Sequence, residues 1–274
     1  MMRRTGASGV LDADLDTAEL ARQLAQSELH RMEAELLFDR IGVAPGWRVL
    51  DLGCGPLGVL DVLAERVGPR GCVVGVDPDS ALLEAAARSL AERGVRGVGL
   101  VRGDLTHTGA PTESFDLVHE RLTLGDGVSP RDAVAEMVRL TRPGGWVALQ
   151  DADLVSWTCE PPSPAWDRLA HALTSTWIGD PHVGRRLPGL LRDAGLVDVE
   201  VDVHAGLWRR GDSHHGLLPH LVGLHRDRIV AHGCLTAVDV DLDLHAVEEH
   251  LSRPDTIVLS WTLFQAWGRK PYPA

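Results

Sequence analysis

The apolar run 48–52 leads directly into Gly53-Cys54-Gly55-Pro56-Leu57-Gly58. This junction constrains the chain more than any other feature. Glycines at 53, 55 and 58 satisfy G-x-G-x-x-G, a pattern that belongs where a buried strand turns sharply into a helix. Glycine lets the backbone turn there and lets a ligand approach the main chain closely.

The same alternation continues downstream. Helical patterning covers 58–67 and 80–93, and short apolar runs cover 72–76 and 98–101. Further strands are expected at 115–119 and 146–150, with a helix at 130–140 between them. Strands alternating with amphipathic helices mean βαβ units, hence an α/β fold with a parallel sheet and helices on both faces. Ahead of this core, Leu20, Leu24, Leu29, Met32 and Leu36 recur at helical spacing, which predicts one helix over 17–41. The second half is less regular. Helices are expected after Pro164, at 184–194, at 217–231 and at 246–251, with strands at 197–203 and 256–267.

These elements suggest a division into a flexible 1–15, a cap helix in 16–42 and a ligand-binding core over 43–153. A helical lid insertion follows at 154–182, then the end of the core at 183–210. A second helical insertion spans 211–255, and the last strand lies in 256–274.

With 27 Lys and Arg against 39 Asp and Glu, the net charge is -12, which disfavours a phosphate backbone as partner. No apolar stretch approaches the length of a membrane span, and no signal peptide is visible at the start. Cys54, Cys72, Cys159 and Cys234 form no C-x-x-C pair, which fits a cytoplasmic setting and offers no zinc site. The histidines show no ligand spacing, so no metal is expected.

Asp51, two residues before Gly53, decides what the glycine loop binds. A carboxylate there would repel a pyrophosphate and would welcome a ligand carrying an ammonium group. Asp77, followed by Pro78, ends the next strand, about twenty residues on, where an acidic side chain can accept both ribose hydroxyls. Its competing role is the N-cap of the helix from Ser80. Gly103-Asp104-Leu105 follows the third strand, and its carboxylate and backbone N–H can read an adenine edge. Thr141-Arg142-Pro143-Gly144-Gly145 reads as a turn before the fifth strand.

Taken in order, Asp51-Leu52-Gly53-Cys54-Gly55, Asp77, Gly103-Asp104, Phe115-Asp116-Leu117-Val118-His119 and Arg142-Pro143-Gly144-Gly145 resemble the class I S-adenosylmethionine (SAM)-dependent methyltransferases. The likeness covers 47–153. Asp193-Ala194-Gly195-Leu196 and Ala266-Trp267-Gly268-Arg269-Lys270-Pro271 look like natural-product enzymes of the ubiquinone/menaquinone-type branch. The resemblance implies a Rossmann-like sheet of seven strands, mostly parallel with the last antiparallel, plus helical cap insertions. It implies SAM as cofactor, with Asp51 and the loop Gly53 to Gly55 on the methionine portion, Asp77 on ribose, and Asp104 with Leu105 on adenine. His119, Glu120 and Arg121 would lie beside the methyl donor. Glu28-x-x-Arg31-Met32 is similar to a Glu-x-x-Arg-Leu pattern in a cofactor-capping helix, where Arg31 would meet the SAM carboxylate. No Asn-Pro-Pro-Tyr type motif is present, and His119-Glu120 stands in its place, against adenine or glutamine methylation.

Methyl transfer is an in-line displacement, so the protein chiefly aligns donor and acceptor. A general base aids a hydroxyl or weakly acidic carbon. His119, Asp153 and His225 are the candidate catalytic groups, with Asp151 a further candidate base that also lines the acceptor site. Six of eight tryptophans follow the fifth strand, and Trp157 and Trp177 are expected to contact a flat, apolar or aromatic small-molecule acceptor. A homodimer is compatible with this reading. Two rivals remain. One is a SAM-binding protein that transfers no methyl, such as a cyclase or regulatory binder. The other is a dinucleotide-dependent oxidoreductase, which Asp51 and the missing Tyr-x-x-x-Lys pattern disfavour.

Overall fold

In the computed structural model, α1 (Thr17–Leu29) and α2 (Arg31–Ile41) lead into β1 (Arg48–Leu52). Then come α3 (Leu60–Val67), β2 (Cys72–Asp77), α4 (Ser80–Glu92), β3 (Val98–Arg102), β4 (Phe115–Arg121), α5 (Pro130–Leu140) and β5 (Thr141–Asp153). The second half runs β6 (Thr158–Glu160), α6 (Pro164–Ser175), α7 (Val183–Asp193), β7 (Val197–His204) and β8 (Leu207–Arg209). It ends with α8 (Leu217–Ala231), α9 (Ala237–Leu251), β9 (Ile257–Leu259) and β10 (Thr262–Arg269). The structure describes residues 17–125 and 127–273, so the expectation of a flexible 1–15 lies outside the described residues.

Seven strands form one sheet in the order β3-β2-β1-β4-β5-β10-β7. Neighbouring strands run parallel except β10, which is antiparallel to both β5 and β7. Because strand side chains alternate, each central strand feeds two cores. Val49, Val73, Leu117 and Ala148 point to the layer of α2, α3 and α4. Leu50, Val76, Val118 and Leu149 point to the layer of α5 and α7. Each fully buried side chain of this kind contributes about 1.5–3 kcal/mol.

Above the C-terminal edge of the sheet lies a cap built from α6, α8, α9 and a second sheet, β6-β9-β8. This small sheet is absent from the sequence-based expectation, because strands of three residues carry no readable period. The run 256–267, expected as one strand, divides into β9 in the small sheet and β10 in the large one.

Two helices also differ from expectation. The helix expected over 17–41 is interrupted only at His30 (φ -100°, ψ 19°), where His30 N–H still donates to Gln26 O and Ala34 N–H to His30 O. The helix expected over 246–251 begins instead at Ala237. Its first half reads Val-Asp-Val-Asp-Leu-Asp-Leu, a strand-like alternation. A capping box overrides that period: the Thr236 hydroxyl accepts the Asp239 N–H, and Asp239 accepts the Thr236 N–H in return. Val240, Asp243, Val247 and Leu251 then face inward at helical spacing, and Arg168 of α6 grips the Asp243 carboxylate. The expected turn Arg142 to Gly145 is an irregular start to β5, where Phe115 pairs with Thr141 but Leu117 pairs with Trp146.

Candidate functional site

The glycine loop is stitched to the end of β2. The N–H groups of Gly53 and Cys54 both donate to Val76 O, at 2.8 and 3.1 Å. Gly53 has φ +73°, and a Cβ built there would lie 2.4 Å from Thr123 Oγ1. Gly58 has φ +54°, and its Cβ would lie 2.6 Å from Cys54 O. The backbone therefore occupies space that side chains would fill. Gly55 N–H donates to Asp77 Oδ2 at 3.0 Å, and Asp79 N–H donates to Asp77 Oδ1 at 2.9 Å. The N-cap of α4 is Asp79, through Ala81 N–H, and not Asp77. Asp77 is thus left at the mouth of the loop, where burial raises its pKa and the two N–H donors lower it.

A cleft of about 310 Å³ opens over this loop. Gly53, Cys54, Gly55, Asp77, Pro78, Leu105 and Arg121 all line it, as does Thr123. Arg22, Gln23, Gln26 and Ser27 of α1 close it from the other side. The sequence reading missed these four. Their signal is a polar stripe at i, i+1, i+4 and i+5 on a helix taken only as a cap.

Other sequence candidates lie elsewhere. Arg31 does not reach the cleft. It lies against α3, where it donates to Asp61 Oδ2 at 2.8 Å, and it pairs with Glu35 within α2. Glu28 likewise holds Arg93, the C-cap of α4, so the Glu28-x-x-Arg31 pattern ties helices together. Asp51 lies beneath the loop, 2% exposed, and accepts the His119 Nδ1–H at 2.7 Å. His119 Nε2 lies 2.8 Å from Gln150 Oε1, and Phe38 packs edge-on against the ring. His119 is wholly buried and cannot touch an acceptor. It positions Asp51 instead. Asp104 is outside the cleft: it turns back onto Thr106 N–H and Oγ1, and these bonds lower its pKa. Gly103 serves the same turn, donating its N–H to Asp77 O.

A second cavity of about 130 Å³ adjoins the first and shares Arg22, Gln26 and Leu122 with it. Asp151, Trp177, Asp180, Leu221 and Trp261 complete much of its wall. Trp177 is fixed by its Nε1–H, which donates to Gly125 O at 2.9 Å. His225 does not line the cavity; it packs edge-on behind Trp177 at 5.5 Å, and burial lowers its pKa. Trp157 is a core residue, packed among Trp166, Trp208 and Trp261. Asp153 is taken by Arg185 of α7 and anchors that helix to the end of β5.

Asp151 accepts the N–H groups of Leu124 and Gly125 at 3.0 and 3.1 Å, which fixes the loop after β4. Glu120, fully buried behind it, accepts from Gln150 N–H and Thr123 N–H. Burial, then the Asp151 charge, pushes the Glu120 carboxyl well above its usual range. A raised folded-state pKa contributes stability below the unfolded value near pH 4.5, and loses it as pH rises. Glu120→Gln is therefore expected to melt higher than the parent at pH 8, with the gap closing toward pH 4. Thermal unfolding across that range tests it; a gap that widens toward acid would show Glu120 ionised in the fold.

Among the described residues, no group of three or more His, Cys, Asp or Glu is arranged to hold a metal. No described helix is long and apolar enough to cross a membrane.

A family model described as a methyltransferase domain matches residues 49–145. The nocamycin O-methyltransferase of Saccharothrix syringae is 32% identical over 208 residues, covering 70% of this chain and 73% of that protein. Two other curated relatives are matched over only 64% and 60% of their own length. A SAM-dependent methyltransferase from Aquifex aeolicus superposes with TM-score 0.53 at 18% identity, covering 72% of this chain and 93% of its own. The [4+2]-cyclase SpnF shares the fold as well, with TM-score 0.52 at 19% identity over 88% of this chain and 82% of its own. The ordered loop, the acidic strand end, the seven-stranded sheet and these matches agree, and the chain belongs to the SAM-dependent methyltransferase family.

Proposed function

We propose that this chain binds SAM in the 310 Å³ cleft and transfers its methyl group to a small molecule seated in the adjoining cavity. The observation that carries this reading is the shared wall: Arg22, Gln26 and Leu122 border both spaces, so a donor in one faces an acceptor in the other. The cleft suits SAM on its own chemistry. Its floor is glycine backbone where a Cβ would collide, and Asp77 offers a carboxylate at its rim. Asp51, buried beneath the loop and bonded to His119, puts a carboxylate under the cleft floor, which disfavours a pyrophosphate above it.

Asp77 and Pro78 would hold the ribose, Leu105 the adenine, and the loop from Gly53 to Gly55 the methionine portion. Arg121 reaches the cleft with its guanidinium donating to His30 O and Gly58 O, which fixes the rim beside α1. SAM, when bound, supplies a methyl group activated on a sulfonium. The chain's part is alignment and exclusion of water. With His119, Asp153 and His225 all set back from the cavity, Asp151 is the carboxylate of the candidate set that faces the acceptor. Four free thiols and net charge -12 support a reducing, cytoplasmic setting without nucleic acid.

The fold shared with the [4+2]-cyclase SpnF supplies the second reading, a SAM-binding protein that transfers no methyl group. Calorimetry with SAM and S-adenosylhomocysteine in EDTA, set against NAD, tests the first half. Tight binding of both, indifferent to EDTA, is expected. NAD binding with neither of the others would overturn it. Labelled methyl followed into extractable small molecules tests the second half; bound SAM whose label never leaves would favour the cyclase reading.

A further inference from the structure

The amino-acid end of SAM carries a carboxylate, and a carboxylate entering a cleft calls for a cation. Among the described residues, Arg22 and Arg121 are the two cations that line the 310 Å³ cleft. Arg121 is held by backbone on two sides, donating to His30 O at 3.1 Å and to Gly58 O at 2.8 Å. Arg22 stands on α1 beside Gln23 and Gln26, which also line the cleft. A Cβ built at Gly55 would lie 3.9 Å from Gln23 Oε1. The polar stripe of α1 therefore faces the stretch of glycine loop that would hold the methionine portion.

Arg22 already has a carboxylate. Glu19, one turn earlier, accepts the Arg22 Nε–H at 2.8 Å and an Nη2–H at 2.6 Å. This is the two-pronged pairing that a guanidinium makes with any carboxylate, whether of the chain or of a ligand. Gln26 Oε1 accepts from Arg22 Nη1 at 3.0 Å, and Gln23 Nε2 donates to Glu19 Oε1 at 3.0 Å. The Arg22 and Glu19 side chains are only 21% and 27% exposed, so water screens the pair incompletely. All these bonds lie within α1, and an exchange of partner at Arg22 breaks no tie between elements. Glu19 does not line the cleft, whereas Arg22 does.

We propose that Glu19 is an internal competitor for Arg22. It holds the guanidinium until the carboxylate of the cofactor takes its place, and so sets how tightly the amino-acid end is bound. This rests on the reading of the cleft as the SAM site. The exchange swaps one charge-assisted pair for another, so the ligand gains little from its carboxylate while Glu19 keeps its charge. Removing that charge while keeping the shape leaves Arg22 to the ligand. Glu19 is thus a positioning residue, acting on the cofactor through Arg22.

S-adenosylhomocysteine and its decarboxylated analogue, which keeps the ammonium group, are titrated into the full chain by calorimetry. Glu19→Gln is expected to bind S-adenosylhomocysteine about threefold to tenfold tighter and the analogue within about twofold of the parent. A merely structural role for Glu19 cannot produce a gain confined to the ligand that has the carboxylate. Arg22→Gln is expected to weaken S-adenosylhomocysteine at least about threefold, and adding Glu19→Gln to it should change nothing beyond about twofold. Circular dichroism checks each fold, and Glu19→Ala replaces Glu19→Gln should the latter not fold. Unchanged or weaker binding of S-adenosylhomocysteine in the Glu19 variant would overturn the proposal. So would a gain shared equally by both ligands, or one that persists without Arg22. If both ligands bind and no such difference is found, only the competitor is lost. If neither ligand binds the parent, the SAM reading of the cleft falls, and the proposal with it.

Discussion

Asp77→Ala is expected to weaken SAM binding by at least tenfold, and toward 100-fold, in a protein that still folds. Asp77 lines the cleft and is 5% exposed. Its oxygens already accept Gly55 N–H and Asp79 N–H, and each keeps a lone pair for a further donor. Two hydrogen bonds from ribose hydroxyls to a carboxylate are worth about 1.5–3 kcal/mol each, and even the lower figure doubled gives about 100-fold. The same change frees Gly55, so the loop loosens as well. The fold should survive because Asp79, not Asp77, caps α4. Calorimetry with SAM, alongside circular dichroism, reads both effects. Unchanged affinity in a folded variant would mean that Asp77 serves only the loop.

Gly53→Ala is expected to cost about thirtyfold in SAM affinity and to lower the melting temperature by several degrees. A non-glycine residue at φ +73° carries about 1–2 kcal/mol of strain. The new methyl would also lie 2.4 Å from Thr123 Oγ1 and 2.7 Å from Thr123 Cγ2. Thr123 cannot yield freely, since its hydroxyl donates to Arg121 O and its N–H to Glu120 Oε2. Removing the colliding atoms should help, so Gly53→Ala with Thr123→Ala is expected to regain about half of the lost affinity. Wild-type affinity in the single variant would show that the loop can open without cost. A double variant no better than the single would place the whole effect in the backbone.

The core was legible because its elements satisfy two rules at once. Leu50 and Val49 alternate to opposite faces, and the helices between strands carry a single apolar stripe, so period and length agree. The glycine loop, Asp77 and Leu105 reached the cleft because their place follows from strand ends, which parallel topology fixes. The failures share a cause. Arg31 is expected at the cleft only through its place in a Glu-x-x-Arg pattern, which cannot show that Asp61 of α3 takes its guanidinium. His119 was placed by position in the strand, which cannot show that Asp51 and Gln150 on neighbouring strands enclose it. Trp157 and Trp261 are chemically alike in the sequence; only tertiary packing leaves one in the core and the other at a cavity wall. The acceptor wall draws on α1, β5, α8 and the segment before β10, and no local pattern joins residues so far apart.

The order of strands also bears on how the chain is made. The stretch 257–269 supplies the middle strand of the small sheet and the penultimate strand of the large one. Before it emerges from the ribosome, β7 has no neighbour at all, since β10 is its pairing partner, and β6 and β8 lack the strand that joins them. Synthesis at about 5–20 residues per second leaves β7 waiting several seconds with its backbone unpaired, and Val197, Val201 and Val203 stay half exposed even in the finished fold. The nascent chain must therefore hold an open edge until 262–269 is made, and the stretch 257–269 closes both sheets together. Acidic Asp198, Glu200 and Asp202 alternate with those valines, and their repulsion guards that edge against another nascent copy until β10 arrives.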